Sequence, residues 1–178
     1  MRGKRTSGMK IHATLAMLAG LLGTLLPLGG TAAASPTLGP LEGAAVWVGA
    51  PVTASRLRGK VVIVDIFTVD CINCRNVVAT LRELDRADRA KGLRIVGIHS
   101  PETPSEKRPG YVAANMRSQG IVWPVAIDND FALWRDYGAQ AWPTQLFFDR
   151  HGRLRKVIVG DSQDALVRQT VEALLAER

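Results

Sequence analysis

The chain has 178 residues, 47% of them hydrophobic and 22% charged, with a formal net charge of +7. Four of the 23 basic residues and none of the 16 acidic ones fall in the first 34 positions, so the rest carries 19 minus 16, or +3, which removes charge as an argument for a nucleic-acid partner. The chain beyond position 34 is one domain's worth, large enough for a core of its own, and two cysteines are too few for a disulfide-stapled scaffold.

Arg2, Lys4, Arg5 and Lys10 precede an apolar stretch, Ile11 to Leu28, interrupted by Gly20, Gly23 and Pro27. Ala32 and Ala34 then satisfy the small-x-small rule. This predicts a signal peptide over 1–34, cleaved after Ala34, and hence an exported, periplasmic or otherwise extracytoplasmic protein. Left uncleaved, the same stretch is just long enough to be a membrane anchor. Residues 35–45, rich in Pro, Gly and Ala, are expected to be a flexible linker, and 46–178 a single domain.

Val61 to Phe67 is apolar on both faces except for Asp65, the mark of a central strand covered on both sides. Cys71-Ile72-Asn73-Cys74 comes directly after it and opens a helix in which Val77, Val78, Leu81 and Leu84 recur at helical spacing. Leu93 to Ile98 reads as a second buried strand, and 99–110, with three prolines, as a turn region. A helix near Tyr111 to Ser118 precedes a strand at Val122 to Ile127. Asp128-Asn129-Asp130 can cap a helix over Phe131 to Tyr137. Thr144 to Phe148 and Arg153 to Val159 form a hairpin about Asp149-Arg150-His151-Gly152, and Asp161 to Asp164 offers caps for a last amphipathic helix. The order β-α-β-α-β-α-β-β-α predicts an α/β fold with a mixed central sheet flanked by helices.

A C-x-x-C where a buried strand turns into a helix is a reactive dithiol, because the helix N-terminus favours a thiolate there. Read instead as a structural disulfide, the pair explains little, since so short a loop hardly restricts the unfolded chain. Cys71, at the helix start, is the expected nucleophile and Cys74, one turn on, the resolving thiol. Asp65, six residues before Cys71, is costly inside a strand unless it has partners or a task.

The run Val64 to Cys74, together with the later Trp142-Pro143-Thr144 and the hairpin, resembles thioredoxin. It is more similar to exported thioredoxin-like thiol–disulfide oxidoreductases of the TlpA and ResA type, and most of all to the thioredoxin-like domain of DipZ-type proteins, which share Cys-Ile-Asn-Cys. Residues 96–102 and 124–130 add to the resemblance, which covers Val46 to Leu175. It implies a thioredoxin-like fold with a TlpA-type helix–strand insertion over about 106–127. It implies Asp65 as proton acceptor for Cys74, with a hydrogen-bonded structural role as the alternative. Pro143 takes the place of the cis-proline facing the dithiol. Trp142 is then a substrate-facing residue or an ordinary core tryptophan, and Glu102 a carboxylate beside the cysteines or a solvated loop residue. Phe67 departs from the tryptophan of many relatives.

The activity so implied is reduction of client disulfides, as in cytochrome c maturation or metal-centre assembly. It needs no cofactor or metal. The partners are client proteins with disulfides or thiols and, because no polytopic membrane domain is attached, a separate membrane electron donor of the CcdA or DsbD type. The same dithiol would serve an oxidant, since direction depends on reduction potential. Thr68-Val69-Asp70-Cys71 also matches the T-x-x-C of thiol peroxidases, though Val64 stands where their proline is expected. A copper chaperone holding the ion through both cysteines and His99 is the non-enzymatic alternative, but such proteins use C-x-x-x-C.

Overall fold

Strand β2 (Val61–Phe67) is buried at every position, and β-branched side chains suit it to the middle of a sheet. The structure, a computed structural model, describes Gly3 and residues 35–177; the predicted signal peptide and its cleavage site otherwise lie outside the described residues. Among these, β2 pairs in parallel with β3 (Leu93–His99) and antiparallel with β5 (Thr144–Phe148). Outside β3 come β4 (Val125–Ile127), parallel to it, and β1 (Trp47–Val48), antiparallel to β4; outside β5 comes β6 (Leu154–Val159). The six-stranded order is β1-β4-β3-β2-β5-β6.

The sheet separates two apolar layers. Val61, Ile63 and Phe67 face α2 (Ile72–Asp88), α3 (Pro109–Gln119) and α5 (Asp164–Ala176). Val62, Val64 and Ile66 face α1 (Ala54–Leu57), α4 (Ala132–Asp136) and the N-terminal segment. Each fully buried aliphatic side chain contributes about 1.5–3 kcal/mol, so this double-sided strand is a firm anchor for the dithiol at its C-terminal end. No described helix is long and apolar enough to cross a membrane.

Three expectations are corrected. The segment 35–45 is no free linker: Leu38 and Leu41 are buried, and Gly39–Gly43 forms a 3-10 turn beneath α1 and α4. Its Pro/Gly composition hides two apolar anchors that bury with the second layer. Ser55 to Lys60 reads as a turn from its sequence, yet 54–57 is helical because Leu57 is drawn into the same layer. The acids before α5 make no side-chain cap at Gln163; Asp161 and Asp164 instead accept hydrogen bonds from Asn76 and Thr80 of α2, at 2.6 and 2.7 Å, and tie the two helices together. In the hairpin, Gly152 takes the positive φ of 74° that the turn requires.

Candidate active site

Cys71 is the N-cap of α2, and its Sγ accepts a hydrogen bond from the backbone N–H of Cys74 at 3.3 Å. The sulfur thus sits where the helix presents unpaired amides and the positive end of its dipole, a setting that favours negative charge. The helix is held there by its inward face: Cys74, Val77, Val78, Leu81 and Leu84 share the first apolar layer. That spacing places Cys74 inside while Cys71 stays half-buried, and both are free thiols. Burial pushes the Cys74 thiol far above its ordinary range. The hydrogen bond with Cys71 and the charges of Asp65 and Cys71 push the same way, opposed by hydrogen bonding from the Thr68 backbone. Cys74 therefore needs a proton acceptor to become a nucleophile.

Asp65 lies on the face of β2 that looks toward α2, two positions from Ile63 and from Phe67. It is 2% exposed. Burial raises its carboxyl from 3.8 to about 7, with the hydrogen bond from Gln145 Nε2 to Oδ1, 3.2 Å long, pulling the other way. A carboxyl poised near neutrality behind a thiol that cannot ionise alone is suited to general base work.

The Trp142–Pro143 peptide is cis. Trp142 is half-buried, and its Nε1–H donates to the carbonyl of Ser100 at 3.1 Å. Its ring lies 4.4 Å from that of Trp134 and 6.4 Å from that of Phe131. Trp142 packs against the same apolar layer as Cys71.

Glu102 is exposed, and only its backbone joins the site. The carboxylate that reaches in from this loop is Glu106, wholly buried. It accepts the Thr68 hydroxyl and the backbone N–H groups of Asp70, Glu102 and Thr103, the last three at 2.9–3.0 Å. Burial pushes its carboxyl up, but these four bonds outweigh that and leave it below its ordinary value. Thr103-Pro104-Ser105-Glu106 has the S/T-x-x-E spacing of a capping box, the signal from which the sequence could have given Glu106. His99 is also buried, its Nε2 3.3 Å from the Thr68 hydroxyl, and burial drops its pKa to about 4 against the pull of Glu106. Arg75 turns from the thiols to the carbonyl of Val69 and the carboxylate of Asp70. Among the described residues, no three His, Cys, Asp or Glu side chains gather as a metal site.

The dithiol, Asp65, Pro143 and Trp142 belong to the ends of β2 and β5 and the start of α2; Phe131, Trp134 and Glu106 were not anticipated. The Redoxin family model matches residues 47–175. The chain is 34% identical over 137 residues to protein DipZ of Mycobacterium tuberculosis, covering 72% of this chain and 20% of that protein. It is 27% identical over 105 residues to the thiol-disulfide oxidoreductase ResA of Bacillus anthracis, covering 59% and 58%. The crystal structure of a thiol-disulfide isomerase from Corynebacterium glutamicum superposes with a TM-score of 0.68 at 26% identity, over 75% of this chain and 92% of that one. The chain thus spans about a fifth of the length of the DipZ proteins it matches.

Proposed function

The chain belongs to the Redoxin family and is a thioredoxin-like thiol–disulfide oxidoreductase, and from that premise we propose that it reduces disulfides of client proteins outside the cytoplasm through Cys71 and Cys74. The observation that carries this reading is the asymmetry of the pair: a half-buried sulfur on the helix N-terminus in front, a buried thiol with a near-neutral carboxyl behind.

Cys71 thiolate attacks a client disulfide, forming a mixed disulfide and expelling one client thiolate, which takes up a proton from solvent. The Cys74 proton passes to Asp65, the Cys74 sulfur bonds to Cys71 Sγ, and the second client sulfur leaves with the electrons of the broken S–S bond. The oxidised pair is recharged by two electrons from a separate membrane donor of the CcdA or DsbD type. Cytochrome c maturation and metal-centre assembly are the processes with such clients. Export by a leader cleaved after Ala34 is supported by the basic and apolar pattern of 1–34. Titration of the dithiol in a glutathione or dithiothreitol buffer tests the direction. A potential near −270 mV, about that of reductants of this fold, supports it, and one near about −120 mV makes the protein an oxidant.

A further inference from the structure

We propose that Gln145 is the positioning residue of proton transfer at Asp65, its side-chain amide serving the carboxylate as donor and the carboxylic acid as acceptor. This rests on the reading of Asp65 as the acceptor of the Cys74 proton.

The sheet register singles this residue out. Asp65 lies opposite Gly97 on β3 and opposite Gln145 on β5. Gly97 contributes no side chain and has no room for one, since a Cβ there would meet Val125 Cγ2 at 2.7 Å and Phe67 Cε1 at 2.9 Å. The next strand places Ile158 opposite Gln145, an apolar neighbour. Of the two residues in register beside Asp65, Gln145 alone can bond to it. It is wholly buried, its Nε2–H donates to Asp65 Oδ1 at 3.2 Å, and its Oε1 has no partner among the described residues.

An idle buried carbonyl oxygen next to a titrating carboxyl has an evident use. An ionised carboxylate only accepts, and Nε2 supplies the donor. Once Asp65 takes the proton it carries an O–H that needs an acceptor, and Oε1 belongs to the same amide. Acid and amide then pair through two bonds, after a small turn about the last torsion of Gln145. The bond to the charged form is the stronger of the two, so the net effect of Gln145 is to keep Asp65 a usable base despite its burial. From the packed elements, the other titratable groups on this side are Cys74 and, through it, Cys71 on α2, and His99 further along β3. α5 contributes Val167, Val171 and Leu174.

The test is the two-phase release of thionitrobenzoate when the reduced full chain meets Ellman's reagent. The first phase forms the mixed disulfide on Cys71; the second is its resolution by Cys74, and its pH profile reports the base. Gln145→Leu is expected to move the midpoint of the second phase from about 7 upward by about one pH unit, slowing it about fivefold at pH 7, while the first phase is unchanged. Asp65→Asn is expected to remove that pH step. If Asp65→Asn leaves the profile intact, the Asp65 reading falls and this inference with it. If Asp65→Asn removes the step and Gln145→Leu leaves the midpoint in place, this inference alone is overturned. Should Gln145→Leu not fold, NMR of the reduced wild type decides. Side-chain amide resonances of Gln145 that titrate with the Asp65 carboxyl support the proposal, and resonances that stay flat across that midpoint refute it.

Discussion

Glu106 Oε1 accepts the backbone N–H of Asp70 at 3.0 Å, which fastens a carboxylate of the inserted segment to the residue immediately before Cys71. The Tyr111 hydroxyl grips the side chain of the same aspartate at 3.0 and 3.1 Å. The insertion thus braces the loop that presents Cys71. Glu106→Ala leaves three backbone N–H groups and the Thr68 hydroxyl without their acceptor in a buried place. The expected cost is about 3–5 kcal/mol of stability in urea unfolding, with Glu106→Gln losing roughly half as much. An alanine variant as stable as the wild type would mean that the loop holds its shape without the brace.

The two sulfurs should differ sharply toward iodoacetamide. Cys71 is half-buried at a helix end, whereas burial holds Cys74 protonated. At pH 8, Cys71 in the Cys74→Ser variant should alkylate roughly 100-fold faster than Cys74 in the Cys71→Ser variant. Cys74→Ser should also retain clients as covalent complexes through Cys71. Equal alkylation rates would remove the asymmetry on which the division of labour rests.

Stability should be nearly flat between about pH 4 and 6.5 because two buried groups oppose each other there. Asp65 has its folded pKa raised from 3.8 to about 7, so the folded state holds that proton longer. Its contribution is full below the unfolded value and is lost as pH rises through the folded one. His99 has its folded pKa lowered from 6.5 to about 4, so the unfolded state gains a proton first and stability falls as pH drops through this range. Each slope is about 1.4 kcal/mol per pH unit, with opposite sign. Asp65→Asn should unmask the histidine slope and raise stability at pH 8 by roughly 2–4 kcal/mol. Chemical denaturation across pH 4–8 checks this, and a variant as flat as the wild type would contradict it.

What the sequence revealed and what it concealed have physical causes. An unbroken apolar run with a single aspartate, ending at the chain's two cysteines, can hardly be anything but a central strand feeding a site, so β2, Cys71, Cys74 and Asp65 stood out. Their relation to Gln145 did not, because a cross-strand neighbour 80 positions away has no local signature. Glu102 drew attention as the first acid after β3, yet the chain turns so that Glu106 points inward and Glu102 outward. Leu38 and Leu41 were masked by the glycines and prolines around them. Local composition reports how freely a segment bends, and not whether two of its side chains find a core.

Asp128 holds the aromatic cluster beside the site. Its carboxylate, 2% exposed, accepts the Ser100 hydroxyl at 2.8 Å and the backbone N–H groups of Leu133 and Trp134, each at 2.9 Å. Those two amides are unpaired donors of the first turn of α4, so Asp128 is a cap supplied from outside the helix. Between them Phe131 stands at φ 60°, a conformation costing about 1–2 kcal/mol for a residue other than glycine. Trp134 packs at a tilt of 43° against Trp142, which in turn bonds to the carbonyl of Ser100, so one carboxylate secures both ends of the cluster. Asp128→Ala should cost about 2–4 kcal/mol, shift tryptophan emission to the red, and slow insulin reduction as Trp142 loses its support. Asp128→Asn keeps the shape and one acceptor and should fall between. Unchanged emission and stability in the alanine variant would mean that the turn at Phe131 and the two packed tryptophans hold one another without it.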